Sequence, residues 1–415
     1  MKYFVCFVIF LVYNETRCLC QRPTGIQEVF KWKQIAYDFD GVIYNSSTDY
    51  ELSATKKDNI TDADKFFIQY NNVPIGMEVY RDKVFVTVPR RRHGIPSTLN
   101  YVKRSGNKSP ALKPYPDTKS RNKFISVYRP RVDVCGRLWM LDTGHLEVPG
   151  ERKQIQPPAI IVYDLKTDQQ LFRYELKSTD LVNERSSAGL TSITVDVDKK
   201  SCNDAYAYIN DLATEGMVVF SLKSMDSWRF SHRSFVHDDR AMNFTAAGYV
   251  INWKDGLFSI TLTDPDVNGK RKAIYHPLVS TEEFAIDTEF LKDNKTFLGH
   301  NTYIGERGNN TQSGSHDYHA PSRIIFYANV AQDAILCWNI DTEMNPANVA
   351  IVAQDHNKLA YISDLKVIDD EVYVLVNQIP KFIYSRFDTN EYNYFIHRYR
   401  VFDLILGTAC DKAAP

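Results

Sequence analysis

Several signatures are missing from this chain, and each absence removes a class of chemistry. It has no Gly-Lys-Ser/Thr phosphate loop, no His-Glu-x-x-His and no Gly-x-Ser-x-Gly. Phosphate cradling, zincin-type hydrolysis and nucleophile-elbow catalysis therefore lack their sequence marks. The pair Ser186-Ser187 is followed by Gly189, but neither serine has a glycine two residues before it. There is no Cys-x-x-Cys spacing, which argues against a zinc ribbon. Charge is balanced, with a formal net charge of -1, so no global field draws the chain to nucleic acid or to an anionic membrane. The basic cluster Arg90-Arg91-Arg92 is expected to be a solvated loop. Beyond the first twenty residues no apolar run is long enough to span a bilayer. No Pro/Gly/Ser-rich linker or shift of composition divides residues 21–415, which are expected to form one domain.

What the chain does have is repetition. Asp133 to Gly144 reads as a Cys-Gly turn, a short apolar run from Leu138 to Leu141, and a polar stop at Asp142-Thr143-Gly144. Stretches of the same shape run from Asp82 to Arg90, Asn203 to Asp211, Asp255 to Asp264, Ser322 to Asn329 and Asp369 to Asn377. Their spacing of roughly fifty to seventy residues is that of four-stranded sheets repeated around an axis. The expectation is an all-β, six-bladed β-propeller, and abundant Tyr (25) and Phe (23) suit sheets stacked on sheets. Two segments fall outside this pattern. Glu282 to Leu291 is the best candidate for a helix, and Gly299 to Ser322, rich in Gly, Asn, Ser and His, is expected to be a loop.

The first twenty residues look like an address. Lys2 precedes an apolar run from Tyr3 to about Tyr13, followed by Cys18-Leu19-Cys20, so a signal peptide over 1–20 and a secreted product are expected. Sequons at Asn45, Asn59, Asn107, Asn243, Asn294 and Asn309 agree, with Pro110 weakening the third. Of seven cysteines, Cys135, Cys202, Cys337 and Cys410 lie outside the leader. Four cysteines allow three pairings, and the sequence alone does not choose. Cys135 with Cys202 is preferred because both sit in turns entering consecutive repeat strands; Cys337 with Cys410 would then tie the last full blade to the C-terminus. Each closes a loop of about seventy residues, worth roughly 4 kcal/mol by chain entropy.

If the repeat strands are innermost, their polar ends converge on one mouth of the axis. Those ends are Pro89 and Arg90, Asp142 and Thr143, Asn210 and Asp211, Thr263 and Asp264, Asn329, and Asn377. Carboxylates and amides beside aromatic rings suit a small cationic aromatic ligand. The competing reading is that Asn, Asp and Thr after strands are ordinary turn residues. His316-x-x-His319 lacks a regular element to fix it, so no metal or other cofactor is expected. His93 and His237 stand alone.

The runs Val84 to Arg90 with Gly94 to Leu99, Tyr128 to Gly144, Cys337-Trp338-Asn339, Ser363 to Val367 and Gly407 to Cys410 resemble the insect yellow and major royal jelly protein family. The resemblance spans nearly the whole chain after the leader. It implies a secreted, glycosylated six-bladed propeller with the disulfide pairing preferred above. It also implies one of several roles: cuticle pigmentation, dopachrome conversion in melanin synthesis, nutrition, or capture of biogenic amines. In the amine-binding members, a hydroxyl before the Asp of a Ser/Thr-Asp pair, an Asn after the last inner strand and an aromatic two residues later hold the ligand. Here these positions are Ser363, Asn377 and Ile379, so the ring is lost unless Phe382 substitutes.

Two functional classes follow. One is a binding protein whose axial mouth takes a small aromatic amine or catechol; the other is a dopachrome tautomerase, which needs an acid and a base in the mouth, with Asp142, Asp211 and Asp264 as candidate carboxylates. A ligand-free secretion or cuticle component is the bland alternative.

Overall fold

A computed structural model describes residues 25–46, 61–295 and 299–411. The leader at 1–20 and the Asn59 sequon lie outside them. Six four-stranded antiparallel sheets make up the fold. From the first strand outward, blade one is Gly76–Tyr80, Lys83–Thr87, Leu99–Lys103 and Lys113–Pro114. Blade two is Arg131–Val132, Arg137–Asp142, Ala159–Asp164 and Gln169–Glu175. Blade three runs Leu190–Asp196, Tyr206–Asp211, Gly216–Ser221 and Asp226–Ser231. Blade four is Leu257–Leu262, Lys272–Pro277, Glu282–Asp287 and Thr302–Glu306, and blade five Ser313–His319, Ile324–Asn329, Ala334–Asn339 and Val349–Gln354. Blade six takes Ile362–Ile368, Glu371–Val376 and Tyr394–Arg400 from the C-terminal end, and its outer strand, Gln27–Trp32, from the N-terminal end. Pairing of Gln27–Trp32 with Tyr394–Arg400 closes the ring with backbone hydrogen bonds. The first strands of successive blades pack on one another around the axis.

The middle strands are buried on both faces because each blade is sandwiched between two others. Arg137–Asp142, Ile324–Asn329 and Ala334–Asn339 are buried at every residue, whereas the outer strand Gln169–Glu175 is largely exposed. Between blades two and three, Trp139, Ile160 and Val162 meet Ala207, Ile209, Val218 and Phe220 in one apolar layer. Cys135 is bonded to Cys202 across these blades, and Cys337 to Cys410. The preferred pairing is thus the one present.

Three expectations need correction. Most of the repeat strands legible in the sequence are the second strands of their blades; only Leu257–Leu262 is innermost. A second strand has neighbours on both edges and both faces, so its sequence is the most apolar. A first strand lines the axis and carries polar residues, as in Ser315, His316 and Asp317. For the same reason Gly299 to Ser322 is not one loop, since it contributes the strands Thr302–Glu306 and Ser313–His319. Finally, Glu282–Asp287 is a strand, with only the single turn Thr288–Leu291 helical after it.

Candidate functional site

In each blade the second strand ends where the first begins, so the repeat motifs do gather at one end of the axis. Their side chains, however, build the scaffold there. Asp142 is fully buried: Oδ1 accepts from the amides of Ser126 (2.8 Å) and Gly144 (3.0 Å), and Oδ2 from Ile125 (2.9 Å) and the Gln156 side chain (2.8 Å). Gly144 turns with φ +63, and a Cβ there would lie 1.9 Å from the Gln156 carbonyl oxygen, which is why the motif ends in glycine. Thr143 accepts from the His145 amide at 3.2 Å. Asn210 accepts from the Ser192 amide at 2.7 Å and donates to the Leu257 carbonyl at 3.0 Å. Asn329 accepts from Ala331 and Gln332 at 2.9 and 3.0 Å, and Asp211 pairs with Arg229 at 2.9 Å. None of these five lines the cavity described next. Thr263 and Asp264 follow an innermost strand and so lie at the opposite end of the axis, lining a different cavity.

The cavity at the motif end has a volume of about 350 Å³. Ser363, Asn377 and Ile379 all line it. The polar atoms of the first two are committed to the chain: Ser363 Oγ donates to the Ile75 carbonyl, while Asn377 Nδ2 donates to the Pro74 carbonyl (2.8 Å) and its Oδ1 accepts from the Ile379 amide (3.1 Å). Phe382 is not in this wall. It packs with Tyr70 and Phe387, each 5.7 Å away between ring centres, under the guanidinium of Arg92.

Groups able to do chemistry come from residues that the repeat pattern passed over. The basic triplet is not a solvated loop: Arg90 donates to the carbonyls of Ile95 (3.0 Å) and Ile125 (2.8 Å), and Arg91 enters the cavity wall, 3.3 Å from Glu147. Buried Arg129 donates to the carbonyls of Ser363 (2.9 Å) and Thr191 (3.3 Å), with its guanidinium 4.6 Å above the Phe258 ring. Tyr128, Phe258, Trp253 and Tyr361 supply aromatic walls. Burial holds both tyrosines well above the ordinary phenol range, so they stay protonated donors. Tyr361 adopts φ +57, a left-handed backbone unusual for a bulky residue, and its amide is held by Asp333 at 3.1 Å.

Asp255 is the distinctive group. Burial drives its pKa up to about 6, although Arg91, Arg185, His237 and Arg129 all pull the other way. Among the described residues no donor reaches its carboxylate, and it faces the cavity that Arg91, Arg129 and Tyr361 also line. A carboxylate with a pKa of about 6 in an aromatic cavity can take and return protons near neutrality, which fully solvated carboxylates with a pKa near 4 do poorly. A sequence signal existed in part: Tyr128 and Arg129 open the long Tyr128-to-Gly144 motif, but Asp255 looked like the turn residue of its repeat.

At the far end of the axis lies a second cavity of about 340 Å³. Its charges are mostly paired: Arg131 grips Asp317 through both nitrogens at 2.7 and 3.1 Å, and Asp317 also accepts from Thr261 and the Val367 amide.

Comparison with known proteins agrees with this architecture. Residues 125–410 match the family model "Major royal jelly protein". The chain is 39% identical to "L-dopachrome tautomerase yellow-f" of Drosophila melanogaster, over 92% of this chain and 94% of that one. It is 30% identical to "Dopaminechrome tautomerase" of the same species, over 94% and 85%. Against "Protein yellow" of Drosophila yakuba it is 33% identical, over 93% and 71%.

Proposed function

The chain belongs to the major royal jelly protein family, and from that premise we propose that it is a secreted tautomerase of catechol-derived quinones of the dopachrome class, acting in the cavity at the motif end of the axis. The observation that carries the reading is Asp255, with its pKa raised to about 6 inside an aromatic-walled cavity. Tautomerisation to the dihydroxyindole proceeds in two proton shifts, each breaking one C–H bond at a saturated ring carbon and forming one O–H bond at a quinone oxygen. No oxidant, reductant or cofactor is consumed. Asp255 takes the carbon proton as general base, a role that contributes typically 10²–10⁴-fold. The protonated Tyr361 phenol is the donor toward the quinone oxygen, where charge accumulates. Arg91 and Arg129 attract the carboxylate that a dopachrome carries, and Trp253 and Phe258 flank its ring. Secretion rests on the leader-like segment at 1–20 and on the sequons, of which Asn45, Asn107, Asn243, Asn294 and Asn309 are all exposed.

Capture of a cationic aromatic amine fits less well. The cavity wall carries the guanidinium groups of Arg91, Arg129 and Arg152 against the carboxylates of Glu147 and Asp255, an excess of positive charge facing an ammonium. The test is loss of the dopachrome chromophore with wild type and with Asp255→Asn. The reading expects acceleration over buffer by wild type and at least about a hundredfold loss in the variant. No acceleration by wild type, or equal rates in the two proteins, would sink it.

A further inference from the structure

Blades four and five meet at a buried cluster separate from that cavity. His276 on Lys272–Pro277, Glu283 on Glu282–Asp287 and His316 on Ser313–His319 each bring a ligand atom within 4.8 Å of the others. All three side chains are fully buried. His276 Nδ1 is 3.1 Å and His316 Nε2 is 3.4 Å from the same carboxylate oxygen, Glu283 Oε1. A tetrahedral ion with bonds of about 2.0–2.1 Å separates its ligands by about 3.3 Å, so both spacings already suit one.

The surrounding contacts point the same way. The other nitrogen of each ring is anchored, His276 Nε2 to the Gly314 carbonyl (3.0 Å) and His316 Nδ1 to Ser259 Oγ (2.6 Å). Glu283 Oε2 is held by Arg307. Such outer contacts fix ring orientation at metal centres. Most telling, His316 Nε2 is shut off from solvent without a hydrogen-bond partner, and it is the atom that faces Glu283. The Tyr327 ring stacks against His316 at 5.4 Å. His316 and Ser259 also line the far cavity. His319, three residues along the same strand, faces Ser322 and Asp370 instead, so the His-x-x-His spacing is not the relevant pair.

We propose that His276, Glu283 and His316 form a binding site for one divalent transition-metal ion of the zinc type, joining blade four to blade five. Two imidazoles and one carboxylate suit zinc or cobalt(II) and disfavour calcium and magnesium, which prefer all-oxygen shells.

The test uses the full-length protein stripped with a chelator and titrated with zinc, and separately with cobalt(II). Expected are one equivalent bound per chain, visible d–d absorption from cobalt(II), a rise in thermal midpoint on adding zinc, and no such rise with magnesium. His316→Ala should weaken zinc binding by more than about a hundredfold, since it removes a ligand outright. Anomalous diffraction from cobalt-loaded wild-type crystals locates the ion without relying on a variant that folds. Density between His276, Glu283 and His316 supports the proposal; no stoichiometric binding by wild type, or cobalt density elsewhere, overturns it.

Discussion

Arg129 Nε donates to the backbone carbonyl of Ser363 at 2.9 Å, joining residues 234 positions apart in the wall of the cavity. The guanidinium thereby ties blade two to blade six while its charge faces the cavity. Arg129→Lys keeps the charge but loses the planar fork, so the contacts to Ser363 and Thr191 cannot both be kept. Each buried hydrogen bond to a charged group is worth about 1.5–3 kcal/mol. The variant should therefore unfold at lower denaturant concentration, by roughly 2 kcal/mol, while binding dopachrome with its carboxylate attraction partly intact. Equal unfolding midpoints would show that the link is dispensable.

The rate of dopachrome turnover should depend on pH through Asp255. With its pKa near 6, the active carboxylate form is the minor species below that value and the major one above it. Plots of kcat/KM against pH should therefore rise with an inflection near 6 and level off above about 7. A flat profile between 5 and 7, after correction for the spontaneous reaction, would remove Asp255 from the role of base.

How much of this was visible in the sequence follows from how each residue is buried. Runs such as Leu138 to Leu141 and Ile324 to Ala328 are apolar because both faces pack on neighbouring blades, so they announced a six-bladed ring. The first strands that line the axis were illegible: Ser315, His316 and Asp317 read as loop because their partners are polar groups from other blades. Asp142 and Asn210 looked functional because they are polar at strand ends, yet backbone amides consume their oxygens. Asp255 gave no signal, since its raised pKa comes from a cavity assembled by residues as distant as Arg91 and Tyr361. Its chemistry is tertiary.

Arg91 should set substrate preference. It lines the cavity and is half-buried, with Glu147 as its ion-pair partner, so removing it disturbs the scaffold less than removing Arg129. Dopachrome carries a carboxylate that dopaminechrome lacks. Arg91→Gln should therefore raise KM for L-dopachrome about tenfold or more, the loss of one charge-assisted contact of about 1.5 kcal/mol, and leave dopaminechrome nearly unchanged. Parallel losses for the two substrates would mean that Arg91 does not meet the carboxylate.

Asn377 is fully buried, bonded to the Pro74 carbonyl and the Ile379 amide. Asn377→Ala leaves both backbone groups short of a partner, and stability should fall by about 1–3 kcal/mol in denaturant titration. An unchanged midpoint would show that the contacts to Pro74 and Ile379 are dispensable.

His397 should make the fold sensitive to mild acid. It is fully buried on Tyr394–Arg400, its Nε2 donates to the Lys358 carbonyl at 3.0 Å, and its Nδ1 has no partner. A proton added at Nδ1 would create an unpaired buried cation. Burial accordingly lowers the pKa to about 4; the Lys358 carbonyl and the charges of Glu28 and Asp355 offset it only in part, and the Lys358 charge adds to the lowering. The unfolded chain binds this proton near 6.5, so between 6.5 and 4 the unfolded state holds more protons than the folded one. The contribution is fully present above 6.5 and is lost as pH falls through 4, up to roughly 3 kcal/mol in all. His316, held down to about 3 chiefly by burial, adds to the same trend, so the wild-type slope belongs to more than one group. His397→Gln retains a donor for the Lys358 carbonyl but cannot titrate. Urea titrations at pH 7.5, 5.5 and 4.0 should show the variant losing less stability than wild type over that range, by up to one proton's worth of slope. Parallel losses in the two proteins would mean that His397 already accepts its proton in the folded state.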